Sequence, residues 1–350
     1  HQLHDISRCE STVTGQKAYY DIIRLLLLKF IEPHIQPGGK LEKLLDPNLY
    51  KGMNEFEPDC VRFLQYDNIC FDMTKSFEDK IYFAWNMLSY NTIFNGVFPE
   101  RKTFHNLADV LELMCKKIYS ALKNIRFDEL NEDIGGAIYE HFINKKGGSG
   151  GYALGQYFTP RKLIKLIIQS NKEVFNDRVN GDVKSIYDPC AGTGGFLMEM
   201  YKETKVNPEN IYGGEWETDT FATCLMNLIL ITGSISNVKK INSFQNKTTM
   251  LYDWIGTNPP FGIKDIAYKS VLENASIEKD GLSVAEMYPV KTDDGSALFL
   301  HHCIAKLAIG GMCNIVLPAG QLITSNGVYI KIRKHLITTC VLKAVLAVPS

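Results

Sequence analysis

A chain of 350 residues with 38 basic and 39 acidic side chains carries a net charge of −1, so it has no overall positive field that would hold it on a nucleic acid. A nucleic-acid function therefore requires a local basic face or a partner that supplies one. The nine cysteines form no Cys-x-x-Cys pair and no close cluster with histidine. This pattern argues against a zinc site and a disulfide framework, and it indicates a cytoplasmic, intracellular protein with reduced thiols.

The first part of the chain has a helical pattern. Residues 17–143 carry apolar positions at helical spacing, punctuated by prolines, with no alternating strand runs. The most apolar stretch, IIRLLLLKFI at 22–31, is shorter than the roughly 20 uncharged residues of a bilayer span, and it contains Arg24 and Lys29. We therefore predict an α-helical N-terminal domain over residues 1–145 and no membrane partner.

The amino-acid composition changes at residues 144–155, where the glycine-rich NKKGGSGGYALG is typical of a flexible link or mobile loop. Short apolar strands then alternate with helices, which is typical of an open, mostly parallel α/β sheet. Residues 146–350 are therefore predicted to form a second, α/β domain. Because the chain opens with His1 and stops in the strand-like VLKAVLAVPS, we expect a longer protein whose second domain continues past Ser350.

Two segments of the second domain have the pattern of helix N-termini. In GQYFTPRKLIKLII, Thr159 can cap a helix that Pro160 begins, although an ordinary capped helix has the same pattern. YDPCAGTGGFL at 187–197 joins a strand to a helix, and its glycines allow a ligand to approach the backbone. The spacing is neither G-x-G-x-x-G nor a phosphate loop, so Asp188 is predicted to face a positively charged ligand. A glycine-rich turn without a ligand is the alternative.

The ends of two further strands carry polar groups. Glu215 in NIYGGEWE is placed to accept both hydroxyls of a ribose, although a solvated carboxylate would have the same pattern. In TNPPF, the side-chain carbonyl of Asn258 and the backbone carbonyl of Pro259 can accept both protons of an exocyclic amine and free its lone pair. Phe261 offers a flat face on which a base can stack. A plain Pro-Pro turn is the alternative.

Taken in order, GQYFTPRKL, DPCAGTGGF, GGEWE and TNPPFG resemble the S-adenosylmethionine-dependent adenine-N6 DNA methyltransferases of the gamma arrangement. RLLLLKFIEPHI, NEDIGGAIYEHFINKKGG and the later GSALFLHHCIAKLAIGGMCNIVLPAGQL are similar to the modification subunit of type I restriction–modification systems. The resemblance covers nearly all of the chain. It implies a Rossmann-like, S-adenosylmethionine-dependent methyltransferase domain with a mostly parallel sheet, preceded by the helical domain.

The resemblance also implies roles for the matching residues. The cofactor S-adenosyl-L-methionine would be bound, from its methionine end to its ribose, by Gln156, Tyr157, Phe158, Thr159, Pro160, Arg161, Asp188, Ala191, Gly192, Thr193, Gly194, Gly195, Phe196 and Glu215. Asn258, Pro259 and Pro260 would hold the amino group of a flipped adenine, and Phe261 would stack on its ring.

Three features depart from the family pattern or stay open. The family usually places an acid after the third strand, but this chain has KKINSFQNKT there, so Asn242 or Ser243 would stand in and cofactor binding would be weaker or altered. The charged loop 263–296 is expected to be a surface insertion rather than a cover or a DNA contact. His301 and His302 are expected to have a packing or capping role in a helix.

The chemistry leaves alternatives. An RNA base could occupy the same pocket, and a cofactor-binding scaffold without catalysis would tolerate the altered INSF segment. Modification of a protein glutamine fits less well, since those enzymes usually carry Tyr after the prolines. The expected partners are double-stranded DNA, a separate DNA-specificity subunit and possible restriction subunits, because no target-recognition domain is visible. The sequence gives neither the target site nor the stoichiometry.

Overall fold

The computed structural model describes residues 15–53, 55–94, 96–98, 108–123, 159–174, 183–246, 248–261, 268–274 and 283–347. Contacts between residues separate two compact units, one drawn from residues 1–146 and 217–235, the other from 147–216 and 236–350. In the described part of the chain, no helix combines the length and apolar character needed to cross a bilayer.

Twelve α-helices are recorded in the described ranges: α1 Gly15–Ile31, α2 Tyr66–Phe71, α3 Phe77–Ser89, α4 Ala108–Leu122, α5 Arg161–Val174, α6 Gly195–Thr204, α7 Thr218–Thr232, α8 Tyr268–Asn274, α9 Val284–Met287, α10 Gly295–Lys306, α11 Ala319–Ile323 and α12 Gly327–Thr339. The strands are β1 Ile186–Asp188, β2 Ile211–Glu215, β3 Asn237–Lys240, β4 Tyr252–Thr257 and β5 Leu307–Ile315. Short 3₁₀ turns are Glu32–His34, Glu42–Leu45, Pro47–Tyr50, Pro58–Leu64, Thr92–Phe94, Pro208–Asn210 and Ser243–Gln245.

The regular secondary structure in the described residues of the first unit is all helical, as its sequence pattern predicts. Over residues 21–31, helix α1 is buried on nearly all sides, including Leu25, Leu27 and Leu28, which is why its apolar residues form a continuous run instead of a stripe. It packs against α4 and α7. The grouping of residues 217–235 with this unit differs from a single cut near residue 145, and the domain boundary stays a prediction.

The second unit is built on a parallel sheet with strand order β3-β2-β1-β4-β5. β1 pairs with β2 on one side and with β4 on the other, with Asp188 opposite Gly213 and Tyr187 opposite Ile255. The strand order therefore reverses between β1 and β4. In open α/β sheets, ligands bind outside the carboxyl ends of the strands at this switch point. The predicted fold class is confirmed.

Burial explains why the central strands are short apolar runs without alternation. All three residues of β1 are buried, and the ring of Tyr187 stacks on that of Tyr252 from β4 with centroids 4.2 Å apart. By contrast, residues 341–347 are exposed and have no regular secondary structure, although their sequence is strand-like. A strand pattern becomes a strand only when another strand accepts its hydrogen bonds.

The segment after the Asn-Pro-Pro-Phe motif is anchored in the core, so the expectation of a surface insertion is wrong for its described part. Val271 of α8, Met287 of α9 and Tyr288 are buried in one cluster with Phe244 and Phe299. The remaining residues of this segment, 262–267 and 275–282, lie outside the described ranges. The segment is rich in charged residues, but it also contains apolar residues that two short helices place in the core.

Candidate functional site

Three of the predicted site residues lie at one edge of the sheet. Asp188 ends β1, Glu215 ends β2, and Asn258 follows β4 directly. Because these three strands are parallel neighbours, their carboxyl ends meet at the same edge, on the two sides of the switch point. Two of the predicted cofactor residues and one of the predicted base-binding residues therefore share one edge of the sheet.

A glycine turn follows β1 and leads into α6. Gly192 and Gly194 have φ values of +55° and +87°, which L-residues with side chains rarely adopt. The amide of Gly194 donates to the carbonyl of Ala191 at 2.7 Å, and this bond closes the turn. A Cβ added to Gly192 would meet only the carbonyl oxygen of Cys190, at 3.8 Å, so this backbone borders open space. The N-terminus of α6 lies directly after it.

Backbone and side-chain bonds tie this turn to the end of β2. The amide of Gly192 donates to Oε2 of Glu215 at 2.9 Å, and the amide of Ala191 donates to the carbonyl of Gly214 at 2.9 Å. The half-buried Glu215 carboxylate is thereby oriented toward the glycine turn. A carboxylate fixed by a backbone amide is already positioned to accept hydrogen bonds from a ligand.

Asp188 is a buried carboxyl group, only 1% exposed, whose Oδ1 accepts from the amide of Cys190 at 2.9 Å. Burial raises the pKa of Asp188 to about 7, and the nearby Glu215 carboxylate adds to the rise, while Thr257 and the amide of Cys190 act in the opposite direction. Two carboxyl groups close enough to interact make a site that favours a positive charge.

Helix α5 brings Arg161 to the same turn. Its Nη2 donates to Oγ1 of Thr193 at 2.7 Å, and a Cβ on Gly195 would collide with the guanidinium. Of the upstream predicted residues, Thr159 is half-buried and Pro160 is exposed. Gln156, Tyr157, Phe158 and the glycine-rich residues 144–155 lie outside the described ranges.

A polar contact holds α5 on the sheet. Asn171 and Asn314 exchange side-chain hydrogen bonds of 2.8 and 3.0 Å, and Nε1 of Trp254 donates to Oδ1 of Asn314 at 2.8 Å. All three side chains thus satisfy polar groups in a largely buried place. The contact fixes the position of α5, and with it Arg161, relative to the strand that leads to Asn258.

Asn242 and Ser243 already have local partners. Oδ1 of Asn242 accepts from the amide of Phe244 at 3.1 Å, and Oγ of the buried Ser243 donates to the carbonyl of Pro189 at 2.6 Å. Gly214 leaves room for this hydroxyl, since a Cβ there would collide with Ser243. The predicted contact of these residues with a cofactor stays a prediction.

The Asn-Pro-Pro-Phe motif follows β4 as irregular backbone. The amide of Val316 donates to the carbonyl of Thr257 at 3.0 Å, so β5 holds the strand end beside it. Pro259 is buried, Asn258 and Phe261 are half-buried, and Oδ1 of Asn258 has almost no solvent-exposed surface. The consecutive Pro259 and Pro260 limit the backbone freedom around the two predicted carbonyl acceptors.

Two residues at this edge are absent from the predicted site. Trp216, directly after Glu215, is 67% exposed, although large aromatic residues are usually well buried. Its position directly after Glu215 in GGEWE is a feature of the sequence from which a place at this edge could have been predicted. Thr257 is buried beside Asp188 and influences the pKa of that carboxyl group, but only the pairing of β1 with β4 brings them together.

His301 and His302 lie in α10 and are fully buried, so the expected packing role is confirmed. His302 hydrogen-bonds two tyrosine hydroxyls, and the ring of His301 faces that of His335 at 5.1 Å between centroids. Burial lowers the pKa of His302 to about 3 and the pKa of His301 to about 4. Both are neutral at physiological pH.

Known proteins with similar sequences include methylase subunits of type I restriction enzymes. The chain is 27% identical over 254 residues to the type I restriction enzyme EcoEI methylase subunit of Escherichia coli, covering 68% of this chain and 47% of that protein. It is 26% identical over 245 residues to the MjaIX methylase subunit of Methanocaldococcus jannaschii, covering 66% and 42%. The chain thus spans less than half the length of these relatives.

A solved structure shares the fold. The methyltransferase subunit of a type I restriction–modification system from Streptococcus thermophilus superposes with a TM-score of 0.60 at 16% identity, over 96% of this chain and 77% of that one. The family model described as N-6 DNA Methylase matches residues 130–350, more than half of the chain. On this match, together with the strand-end carboxylates and the Asn-Pro-Pro-Phe bend, the chain belongs to the N-6 DNA methylase family.

Proposed function

We propose that this protein transfers a methyl group from S-adenosyl-L-methionine to N6 of adenine in double-stranded DNA, as the modification subunit of a type I restriction–modification system. The observation that carries the proposal is the shared edge of the sheet, where Asp188 and Glu215 end adjacent strands and Asn258 follows the next one. A transfer of one carbon requires both substrates within a few ångströms of each other. Membership of the family supports the reaction type.

The chemistry of the site fits the cofactor. S-adenosyl-L-methionine supplies a methyl group on a positively charged sulfur. The buried Asp188 carboxyl group stabilises a positive charge once it is ionised, and it lies beside the open backbone of Gly192. Glu215 would accept hydrogen bonds from the ribose hydroxyls, Arg161 and Thr193 would bind the methionine end, and the exposed ring of Trp216 would pack on the adenine.

Asn258 and Pro259 act on the target base. Their two carbonyl oxygens would accept hydrogen bonds from the two N–H groups of the adenine amino group, which would turn the nitrogen lone pair out of the ring plane. Phe261 stacks on the extruded base. Base extrusion costs a few kcal/mol, which contacts with the DNA offset.

DNA recognition needs a partner. The net charge of −1 gives this chain no general attraction to phosphate groups, so a separate specificity subunit supplies the sequence-reading contacts in the proposed assembly. A restriction subunit would join the same assembly. This division agrees with the names of the relatives, which are methylase subunits of type I restriction enzymes.

The test compares Asn258→Ala with the wild type in the full-length protein together with its specificity subunit. Methyl transfer from labelled cofactor to duplex DNA is expected to fall by at least about a hundredfold, because one of the two acceptors is lost. Cofactor affinity, measured by calorimetry, is expected to stay within about twofold. Equal losses of transfer and cofactor binding would contradict the role of Asn258.

Structured RNA and unmodified duplex DNA are offered separately in the same assay. Label that appears only in RNA would reject the DNA substrate and support RNA base modification. A wild-type protein that binds cofactor but labels neither nucleic acid would support a scaffold role.

A further inference from the structure

A histidine outside the proposed site joins two tyrosines inside the core. Nε2 of His302 lies 3.0 Å from the hydroxyl of Tyr187, and Nδ1 lies 2.8 Å from the hydroxyl of Tyr288. All three side chains are at most 1% exposed. A neutral imidazole has one N–H donor and one bare acceptor, so it can match both hydroxyls.

One end of this arrangement reaches the predicted cofactor turn. Tyr187 immediately precedes Asp188 on β1, and the hydroxyl of Ser243 lies close enough to its side chain to influence the pKa of the phenol. Ser243 donates its own proton to the carbonyl of Pro189. The tautomer of His302 in which Tyr288 donates to Nδ1 and the Nε2–H donates to Tyr187 satisfies both tyrosine hydroxyls.

The other end reaches the segment that follows the Asn-Pro-Pro-Phe motif. The hydroxyl of Tyr268 donates to the carbonyl of Tyr288 at 2.5 Å. Tyr268 begins α8, the next described element after Phe261. A series of hydrogen bonds, continued by the backbone of Tyr288, thus runs from α8 to the strand end that carries Asp188.

Packing around the imidazole makes this connection stiff. The ring of Phe244 meets that of His302 edge to face, with centroids 5.4 Å apart. Phe244 belongs to the same buried cluster as Tyr288, against which Tyr268 and Cys190 also pack. A side chain that moves at one end must therefore displace groups at the other, because close-packed interiors transmit strain.

We infer that His302 is a positioning residue that couples the segment following the Asn-Pro-Pro-Phe motif to the cofactor carboxyl group of Asp188. The inference rests on the proposed function for the identity of the two ligands. It predicts that bound cofactor strengthens the binding of target DNA and that DNA strengthens the binding of cofactor by the same factor. A histidine that served only to fill the core would affect folding without changing the size of this coupling.

The experiment measures the dissociation constant of S-adenosyl-L-methionine with and without duplex DNA that carries the methylation site, using the full-length protein with its specificity subunit. In the wild type, the dissociation constant without DNA is expected to exceed the constant with DNA by a ratio of about five or more. Tyr288→Phe and His302→Leu break the series and should bring the ratio near one. His302→Gln retains a donor and an acceptor and should restore part of it.

Tyr252→Phe is the matched control, since it removes a buried tyrosine hydroxyl from the same core outside this series but keeps the ring that stacks on Tyr187. It should leave the ratio unchanged. A ratio near one in the wild type, or a ratio that Tyr288→Phe leaves intact, would overturn the inference without affecting the proposed function.

Amide hydrogen exchange tests the coupling without relying on catalysis or ligands. In Tyr288→Phe, exchange is expected to rise both in residues 183–192 and in residues 268–274, while the Tyr252→Phe protein matches the wild type. If exchange rises at one end only, the two ends are not coupled and the inference fails. This readout decides the matter even if the wild type methylates no DNA.

Discussion

At the scale of single residues, Asp188 gives the site a measurable pH dependence. Its pKa is raised from 3.8 to about 7 by burial, so at pH 6 most of the folded protein carries the neutral acid. A cationic ligand favours the ionised form. Affinity for S-adenosyl-L-methionine is therefore expected to rise about tenfold between pH 6 and pH 8, as measured by calorimetry.

S-adenosylhomocysteine, whose sulfur is uncharged, should show a shallower rise over the same range. Asp188→Asn should bind the cationic cofactor more weakly and flatten the dependence. An unaltered pH profile in this variant would assign the titration to another group. Because the folded-state pKa lies above the unfolded value, this carboxyl group also makes the ligand-free protein less stable as the pH rises through 7.

At the scale of elements, the packing of α5 on the start of α6 requires a residue without a side chain. A Cβ at Gly195 would collide with the guanidinium of Arg161 and the side chain of Ile164. Gly195→Ala is expected to displace Arg161 from Thr193 and to weaken cofactor binding several-fold, with a destabilisation of about 1 kcal/mol measured by urea unfolding.

Gly327→Ala provides the matched control, because Gly327 also begins a helix but has open space around it. This variant should bind cofactor like the wild type and be equally stable or slightly more so. Equal cofactor affinity in the Gly195→Ala and Gly327→Ala proteins would mean that Arg161 does not contribute to binding.

In helix α10, His301 is a second residue whose pKa makes stability depend on pH. Burial, with the charge of His335 as a smaller cause, lowers the pKa of His301 to about 4 from 6.5. The unfolded chain therefore binds more protons than the folded protein between these values, so stability falls as the pH drops below 6.5. From pH 7.5 to pH 5, His301 is expected to reduce the free energy of unfolding by about 2 kcal/mol.

Urea unfolding of His301→Leu at the two pH values measures this contribution. The variant should lose less stability on acidification than the wild type by that amount. Identical losses in both proteins would show that folding does not lower the pKa of His301.

At the scale of the whole molecule, the two compact units are not consecutive stretches of the chain. Helix α7, which lies between β2 and β3 in sequence, packs on α1 in the first unit. Residues 147–350 expressed alone would expose a helix whose residues 220–230 are buried in the intact protein. We expect that fragment to aggregate when it is produced alone.

Co-expression with residues 1–146 is expected to restore a soluble, non-covalent pair that elutes together in gel filtration. A monomeric, soluble 147–350 fragment would instead support the simple domain boundary near residue 145. Circular dichroism of the fragment would show whether α7 still forms.

Local sequence was sufficient to predict those features whose backbone conformation depends on neighbouring residues. The strand–turn–helix of YDPCAGTGGFL and the Asn-Pro-Pro-Phe bend could be predicted because glycine, proline and asparagine restrict the backbone directly. Periodicity likewise predicted a helical region followed by a parallel α/β sheet. The order of the motifs was enough to indicate the family.

Only the tertiary structure decided which distant groups meet. Nothing in the sequence shows that Glu215 accepts the amide of Gly192, that Thr257 lies beside Asp188, or that His302 joins Tyr187 to Tyr288. These contacts depend on strand order and helix packing, which local preferences do not encode. The predicted surface position of the charged loop after Phe261 is wrong for its described part for the same reason, because burial of a few apolar residues is set by the surfaces they meet.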